Sequence, residues 1–186
     1  MRPSNLESME STVQKYKKIS SELAKKLGEK NVLAAPRLAK VVVSTSFGKN
    51  REPKKVEFIA DCLAKITGQK PAARGAKKSI ASFKIRQGDV IGSAVTLRGQ
   101  RMFGFLDKFL NAVVPRVRDF RGWTKTSVDE MGNLSVGIRE HTVFPETADD
   151  ELKDIFGLTV TIVTTAKNQE GALALFDALG FPFKRS

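Results

Sequence analysis

The sequence predicts an α+β fold, in which a mostly antiparallel sheet carries its helices on one face. Segments with helical apolar spacing interleave with short β-branched segments in the order α-β-α-β-β-α-β-β-α. Single helices and several short loops separate the strands, a pattern typical of α+β proteins. No period of about 20 to 50 residues repeats, and no Ser/Gly-rich or Pro-rich linker divides the chain. The 186 residues are therefore expected to form one domain, 1–186.

Two helices and one strand are predicted in the first part of the chain. Residues 5–28 carry apolar side chains at steps of three and four, which is typical of a helix, and Gly28 can end it. KVVVSTSF (40–47) is β-branched and is expected to be a strand. Residues 53–67 return to helical spacing, with Pro53 suited to the first turn. The apolar face of this second helix consists of Val56, Ile59, Leu63 and Ile66.

A strand and a helix are predicted in the middle of the chain. VIGSAVTLR (90–98) alternates well enough to be a strand. Residues 99–114 are helical in pattern and rich in Phe, and Pro115 should end this helix. Its predicted inner stripe consists of Phe103, Leu106, Leu110 and Val113.

Two strands and a helix complete the fold. LSVGI (134–138) is a short strand, and LTVTIVTT (158–165) has the clearest strand pattern, with Val and Ile alternating against Thr. Asn168 is expected to cap the last helix and Gly180 to end it. The residues expected to point inward from this helix are Leu173, Phe176 and Leu179.

Positive charge is concentrated in one part of the chain. The net charge is +12 and the pI is near 10.0. Residues 1–126 contain 27 Lys/Arg and 10 Asp/Glu, whereas residues 127–186 contain 5 and 10. Because such a field attracts polyanions, nucleic acid is the leading predicted partner and an anionic membrane surface is the alternative. The acidic C-terminal part suggests a second kind of partner or an internal counterweight.

Signals for secretion and for catalysis are weak. The single cysteine, Cys62, excludes a disulfide framework and indicates a reducing compartment. No signal-peptide pattern and no apolar run of about 18 residues is present, so a cytoplasmic protein without a membrane span is predicted. With one histidine and one cysteine, a zinc site of Cys/His type cannot be built. Cys62 is expected to be a partly buried, inert thiol, and His141 a surface residue. No metal or cofactor is predicted.

RGAKKSIASFKIRQGD (74–89) places apolar residues inside a strongly basic segment. Five of its sixteen residues are Lys or Arg, and one is acidic. Such side chains neutralise phosphates and release counterions, which favours RNA binding. Ile80, Phe83 and Ile85 are expected to tether this protruding basic loop to the body of the protein. An ordinary solvated basic face is equally compatible with the composition.

A second basic cluster, VPRVRDFRGW (114–123), interleaves arginine with aromatic residues. This composition suits RNA, whose unstacked bases stack on rings and guanidinium planes. Phe120 is expected to belong to the core, whereas Arg116 and Arg118 are expected to contact RNA or protein.

Two other functions are compatible with the residues. EHTVFPETADDE (140–151) gathers carboxylates that could serve an RNA-processing enzyme as a metal or acid/base site, although a solvated acidic loop explains them more simply. A free-standing binder of anionic membranes or of nucleic acid in general is the other alternative.

A series of short motifs runs through the chain in register. The motifs are ITGQKP (66–71), AKKSIASFKIRQG (76–88), VTLRGQRM (95–102), VPRVRDFRG (114–122), GNLSVGIRE (132–140), FPE (144–146), TIVTTAK (161–167) and FPFK (181–184). Together they closely resemble the bacterial-type large-subunit ribosomal protein five, the 5S rRNA-binding ribosomal protein family. The resemblance runs from about Tyr16 to the end. It therefore leaves residues 1–15 as a predicted N-terminal extension.

The resemblance implies a curved antiparallel sheet backed by helices, with a structural and non-catalytic role in translation. It implies binding of 5S rRNA and its attachment in the central protuberance of the large subunit, beside 23S-type rRNA and neighbouring large-subunit proteins. It also implies that a basic loop contacts the P-site tRNA. Another surface would meet small-subunit head protein thirteen and form an intersubunit bridge.

Three sets of site residues are implied by matching positions. The 5S rRNA contacts would be Ser44, Gln69, Lys70, Thr96 and Arg98. The P-site tRNA contacts would be Arg74, Lys77, Lys78, Ser79, Phe83 and Lys84. The small-subunit contacts would be Arg116, Glu146, Asp149 and Asp150. Where the family usually has Asn, this sequence has Ser44, which keeps a hydrogen-bonding group on a shorter side chain.

Overall fold

Five strands form one antiparallel sheet in the part of the chain that the structure describes. The computed structural model describes residues 16, 19, 23–24, 27, 31–47, 52–148 and 155–184. The strands are β1 (Leu38–Ser46), β2 (Ala72–Gly75), β3 (Val90–Leu97), β4 (Leu134–Ile138) and β5 (Leu158–Thr164). Their order is β2-β3-β1-β5-β4, and every pair is antiparallel. The α+β prediction is confirmed, and β2 and β4 are the edges of the sheet.

Three helices accompany the sheet within the described ranges. They are α1 (Pro53–Thr67), α2 (Gly99–Lys108) and α3 (Gln169–Leu179). Asn168 caps α3 as predicted, because its side-chain oxygen accepts a hydrogen bond from the Gly171 N–H at 3.1 Å. The inward face of α3 is Ala172, Leu175, Phe176 and Leu179, whereas the predicted Leu173 is only half-buried. No helix in these ranges is long and apolar enough to cross a membrane.

Alternation along the strands separates the sheet into two faces. In β1, Val41, Val43 and Thr45 are buried, whereas Val42 and Ser44 between them are only half-buried. The buried side chains join those of the helices in one hydrophobic cluster. We call the opposite side of the sheet the open face. Its residues are Lys40, Val42, Ser44, Ser46, Ala72, Arg74, Gly92, Ala94, Thr96, Ser135, Gly137, Thr159, Thr161 and Val163.

The predicted helix over 99–114 changes its winding before it ends. Regular α-helix stops at Lys108, and Phe109–Val113 form a π-helical turn in which the Val114 N–H donates to the Phe109 carbonyl. Pro115 lacks an N–H, and its ring excludes a carbonyl of the preceding turn, so regular winding cannot continue into it.

This change of winding accompanies a shift of the buried stripe. The buried residues of this segment are Met102, Phe105, Leu106, Phe109 and Val113. The predicted stripe is therefore wrong at Phe103 and Leu110, which are half-buried against the core. For α1 the predicted face holds, with Ile59, Leu63 and Ile66 buried.

Part of the predicted helix over 5–28 lies among the described residues. Tyr16, Ile19, Leu23 and Ala24 are helical, and Leu23 and Ala24 are buried. The Tyr16 ring lies 5.1 Å from the Phe103 ring. Burial raises the pKa of the Tyr16 hydroxyl. The extension over 1–15, Gly28 and the rest of this predicted helix lie outside the described residues.

His141 is buried, and the surface position predicted for it is wrong. Its side chain has no exposed area, and its ring stacks on Phe156 at 4.3 Å and meets Phe58 edge-on at 6.1 Å. The Phe156 N–H donates to His141 Nδ1 at 3.4 Å. The imidazole is held here because its flat apolar faces pack like those of an aromatic ring. Cys62 is also fully buried, more deeply than predicted.

A tight turn leads into β4. The Asn133 N–H donates to Asp129 Oδ1 at 2.6 Å, and the Asn133 amide donates to Asp129 Oδ2 at 2.9 Å. These hydrogen bonds favour the charged carboxylate and hold the pKa of Asp129 below its usual range.

Candidate nucleic-acid interface

Hydroxyl side chains line the centre of the open face. β1 contributes Ser44, β3 contributes Thr96, β4 contributes Ser135, and β5 contributes Thr159 and Thr161. The same strand alternation that sends Val and Ile into the core turns these side chains outward. Because hydroxyls both donate and accept hydrogen bonds, this surface suits the sugars, phosphates and base edges of RNA.

Cross-strand pairing arranges these side chains in two rows. One row contains Ser135, Thr161, Val42 and Thr96. The other contains Gly137, Thr159, Ser44, Ala94 and Ala72. The Ser135 and Thr161 oxygens lie 3.3 Å apart. The hydroxyls of Ser44, Thr96 and Thr159 make no hydrogen bond to another described residue, so a ligand can use them.

Basic side chains frame the hydroxyl rows. Lys40 lies opposite Val163 on β1, and Arg74 lies opposite Gly92 on β2, both on the open face. Arg98 follows β3 in an extended conformation and is exposed. This arrangement places phosphate-binding charge around a hydrogen-bonding centre.

Gln69 and Lys70 lie where α1 gives way to β2. Gly68 ends α1 with a left-handed backbone, φ 65°, which turns the chain toward the sheet. The Thr67 hydroxyl fixes this corner, 2.6 Å from the Leu63 carbonyl and 3.1 Å from the Gln69 carbonyl. Gln69 is half-buried and Lys70 is exposed, beside a recess of about 560 Å³.

The pairing of β2 with β3 relates Gln69 to the hydroxyl rows. Ala72 pairs with Ala94, so Gln69 precedes and Thr96 follows the same end of this ladder. The structure therefore places Ser44 and Thr96 on one surface and Gln69 at its border.

The basic segment forms a self-contained hairpin loop between β2 and β3. The loop opens with a hydrogen bond from the Ala76 N–H to the Asp89 carbonyl, 2.8 Å. Within it, Ile80 and Ile85 exchange backbone hydrogen bonds of 2.9 and 3.2 Å. The Gln87 N–H donates to the Ser79 hydroxyl at 3.0 Å.

The apolar residues of this loop do not tether it to the core. Ile80 is 44% exposed and Phe83 is 61% exposed, whereas Ile85 is half-buried. The predicted tethering role is wrong for Ile80 and Phe83, because the backbone hydrogen bonds of the loop provide the constraint instead. Ile80 and Phe83 thus lie on the surface among the basic side chains. The exposed members of the predicted tRNA contact set are Arg74, Lys77, Lys78, Ser79, Phe83 and Lys84.

The predicted small-subunit contacts lie in different surroundings. Glu146 forms an ion pair with Lys108, which also donates to the Ile66 carbonyl at 2.7 Å. Arg116 is exposed and lines a groove with Arg118. Asp149 and Asp150 lie outside the described residues. Phe120 is half-buried and packs against the core.

The chemistry of the interface is that of binding. Within the described ranges, no cluster of His, Cys, Asp and Glu could hold a metal ion. The acidic member Glu146 is engaged with Lys108 rather than with a second carboxylate.

Comparison with known proteins identifies the family. Residues 31–86 match the family described as ribosomal protein L5, and residues 90–183 match the description of the C-terminus of that ribosomal family. The chain belongs to the ribosomal protein L5 family. This membership confirms the resemblance predicted from the motifs. It makes the chain a structural protein of translation and not an enzyme, and it confirms the predicted location in the ribosome.

Relatives in this family match almost the whole chain. The large ribosomal subunit protein uL5 of Halothermothrix orenii is 46% identical over 92% of this chain and 97% of its own length. The uL5 protein of Thermus thermophilus is 46% identical over 91% of this chain and 94% of its own length. That of Carboxydothermus hydrogenoformans is 48% identical over 88% and 92%, respectively.

Several residues of the interface were not singled out by sequence reasoning. Ser135, Thr159 and Thr161 share the open face with Ser44 and Thr96. The alternating Thr positions of β5 were a usable signal, because a polar residue at every second strand position marks the face away from the core.

Proposed function

We propose that the protein binds 5S rRNA on the open face and thereby attaches it to the large ribosomal subunit, in the central protuberance. Neighbouring 23S-type rRNA and large-subunit proteins would meet the remaining surfaces. The observation that carries this proposal is the row of hydroxyls on a sheet face turned away from the core, framed by Lys40, Arg74 and Arg98. The printed names of the relatives, all large ribosomal subunit proteins, support it.

Removing single hydroxyls tests the proposal. Thr96→Val keeps the shape of the side chain and its strand preference but removes one donor and acceptor. Loss of one hydrogen bond is worth about 0.5–1.5 kcal/mol, so affinity for a 5S rRNA transcript should fall by about twofold to tenfold. Ser44→Ala and Gln69→Ala should act in the same direction. Thr126→Val, in an exposed turn outside the sheet, is the matched control and should leave affinity unchanged.

The measurement is fluorescence anisotropy at several salt concentrations. The wild-type log–log slope should correspond to about 0.7–0.9 per phosphate contact, and Thr96→Val should preserve that slope because it removes no charge. Equal affinities for Thr96→Val, Ser44→Ala and wild type would remove the open face as the 5S rRNA site.

We further propose that the 76–89 hairpin contacts the P-site tRNA. Lys77, Lys78 and Lys84 are exposed on a loop that its own hydrogen bonds hold in shape. Replacing Lys77 and Lys78 by Gln should accelerate dissociation of P-site tRNA from ribosomes that carry the variant. The affinity for free 5S rRNA should stay within about twofold, since these side chains lie outside the open face. The reverse pattern would show that the two surfaces are assigned to the wrong RNAs.

For the small-subunit contact, we propose the acidic segment that begins at Glu146. A contact based on screened charges tolerates sliding between subunits better than an apolar interface would. Glu146→Gln should weaken subunit association most at low salt, where charge interactions reach furthest. Association profiles of variant ribosomes that are unchanged at low salt would exclude this segment.

A further inference from the structure

An arginine-lined groove borders the β4 edge of the sheet. Two stretches of chain that are distant in sequence, 116–119 and 137–143, enclose a space of about 620 Å³. Its charged residues are Arg116, Arg118, Asp119, Arg139 and Glu140. The basic cluster of the sequence thus meets the end of β4 here, and neither stretch alone contains the groove.

The three arginines of the groove have no protein partner in the part of the chain that the structure describes. Arg116, Arg118 and Arg139 are exposed, and no hydrogen bond or ion pair joins their guanidinium groups to another described residue. Lys108, in contrast, is engaged with both Ile66 and Glu146. A guanidinium presents a planar fork of donors that matches phosphate oxygens, so three unengaged forks around one space favour a phosphate-bearing ligand.

The floor of the groove continues the hydroxyl row of the open face. Gly137 lines the groove and pairs with Thr159, which lies beside Ser44 on the neighbouring strand. A Cβ placed on Gly137 would meet no atom within 4 Å. Bare backbone with open space above it therefore connects the two surfaces, and a nucleic-acid strand lying along the row can enter the groove.

The carboxylates of the groove select among phosphate-bearing ligands. Asp119 and Glu140 would repel a simple anion, but a carboxylate can accept hydrogen bonds from the N–H groups of an unstacked base. Single-stranded segments and loops of RNA offer such bases together with phosphates, whereas the bases of a regular duplex are paired. The mixed lining thus fits an unpaired nucleotide within a phosphate backbone.

We propose that this groove is a second subsite for 5S rRNA. Backbone phosphates bind Arg116, Arg118 and Arg139, and an unstacked base donates to Glu140. The proposal rests on the proposed function, because it extends the open-face site across the β4 edge. It also assigns Arg116 to RNA rather than to the small-subunit contact.

Filling the floor of the groove gives the first test. Gly137→Leu places a side chain in open space on a strand, where a larger residue is compatible with folding. Affinity of the full-length variant for a 5S rRNA transcript should fall at least about tenfold, because the strand can no longer reach the guanidinium groups. Gly104→Leu, which also has open space but lies on α2, is the matched control and should bind like the wild type.

Removing the arginines gives the second test, which does not depend on the folding of the first variant. Arg118→Gln and Arg139→Gln should each lower affinity, and each should reduce the log–log salt slope by about 0.7–0.9. Arg101→Gln on the exposed side of α2 is the charge-matched control and should leave the slope unchanged. Wild-type slopes for both groove variants would overturn the proposal, including the outcome in which the groove serves a protein partner.

Glu140→Ala tests the base contact. Removing a negative charge should strengthen binding if only phosphates enter the groove, whereas we expect affinity to fall by about threefold to tenfold because a base contact is lost. A gain in affinity would overturn the base contact.

The two proposals fail in different ways. If Thr96→Val weakens binding and the groove variants do not, the groove inference alone is wrong. If the groove variants weaken binding and Thr96→Val does not, the groove binds 5S rRNA and the open face does not.

Discussion

Replacing Lys108 by Met should destabilise the protein, because one ammonium group holds three parts of the fold together. Its Nζ donates to the Ile66 carbonyl at 2.7 Å near the end of α1, pairs with the Glu146 carboxylate, and lies 5.9 Å from the centre of the Phe105 ring. Met keeps the apolar stem of the side chain and removes only the charge.

The size of the effect follows from these contacts. A hydrogen bond from a charged donor is worth about 1.5–3 kcal/mol, a partly exposed ion pair about 0.2–1 kcal/mol, and a cation–π contact about 0.5–1 kcal/mol. The side chain of Lys108 is 23% exposed and that of Glu146 is 31% exposed, so solvent screens the charges and the contributions overlap. We expect the free energy of unfolding to fall by about 2 kcal/mol, which lowers Tm by about 4–8 °C.

Urea unfolding followed by circular dichroism measures this loss. Glu146→Gln and the double variant complete a cycle, in which the coupling of Lys108 to Glu146 should be about 0.5–1 kcal/mol. Lys54→Met, at an exposed position of α1, is the control and should stay within about 0.5 kcal/mol of the wild type. A loss below about 0.5 kcal/mol for Lys108→Met would refute this reasoning.

Three further perturbations have defined outcomes. Gly92→Ala would bring a Cβ within 2.5 Å of the Thr45 carbonyl, so urea unfolding should show a loss of about 2–3 kcal/mol. Asn168→Ala removes the cap of α3 and should cost about 1 kcal/mol in the same assay. The pKa of Asp129 is held below its ordinary value of 3.8, so its hydrogen bonds to Asn133 stabilise the fold above that pH. This stability is lost as pH falls through the lower folded-state pKa, and urea midpoints of Asp129→Asn should therefore vary less with pH on the acid side.

The strands and most helix bounds could be predicted because their patterns are local. β-branched alternation placed β4 at its observed residues, and Pro53 marked the start of α1. The hydroxyl face could in principle be predicted from the same alternation, since the outward positions of β5 are Thr. Assigning that face to RNA needed the motif resemblance, because Thr on a strand is compatible with many exposed surfaces.

What sequence reasoning missed depends on contacts between distant segments. His141 is buried because Phe58 and Phe156, far apart in the chain, stack around it. Polarity alone suggested the surface. The groove likewise joins Arg118 to Arg139 through tertiary structure, so neither local pattern could reveal it.

The internal hydrogen bonds of the 76–89 hairpin also bear on the kinetics of RNA contact. Because Ile80 and Ile85 already fix the backbone, docking against a moving tRNA does not require the loop to lose much conformational entropy. Attachment and release can then occur without a folding step at each encounter. A loop of this kind acts as a ready-made fingertip, able to hold a passing molecule briefly and to let it go at the pace of elongation.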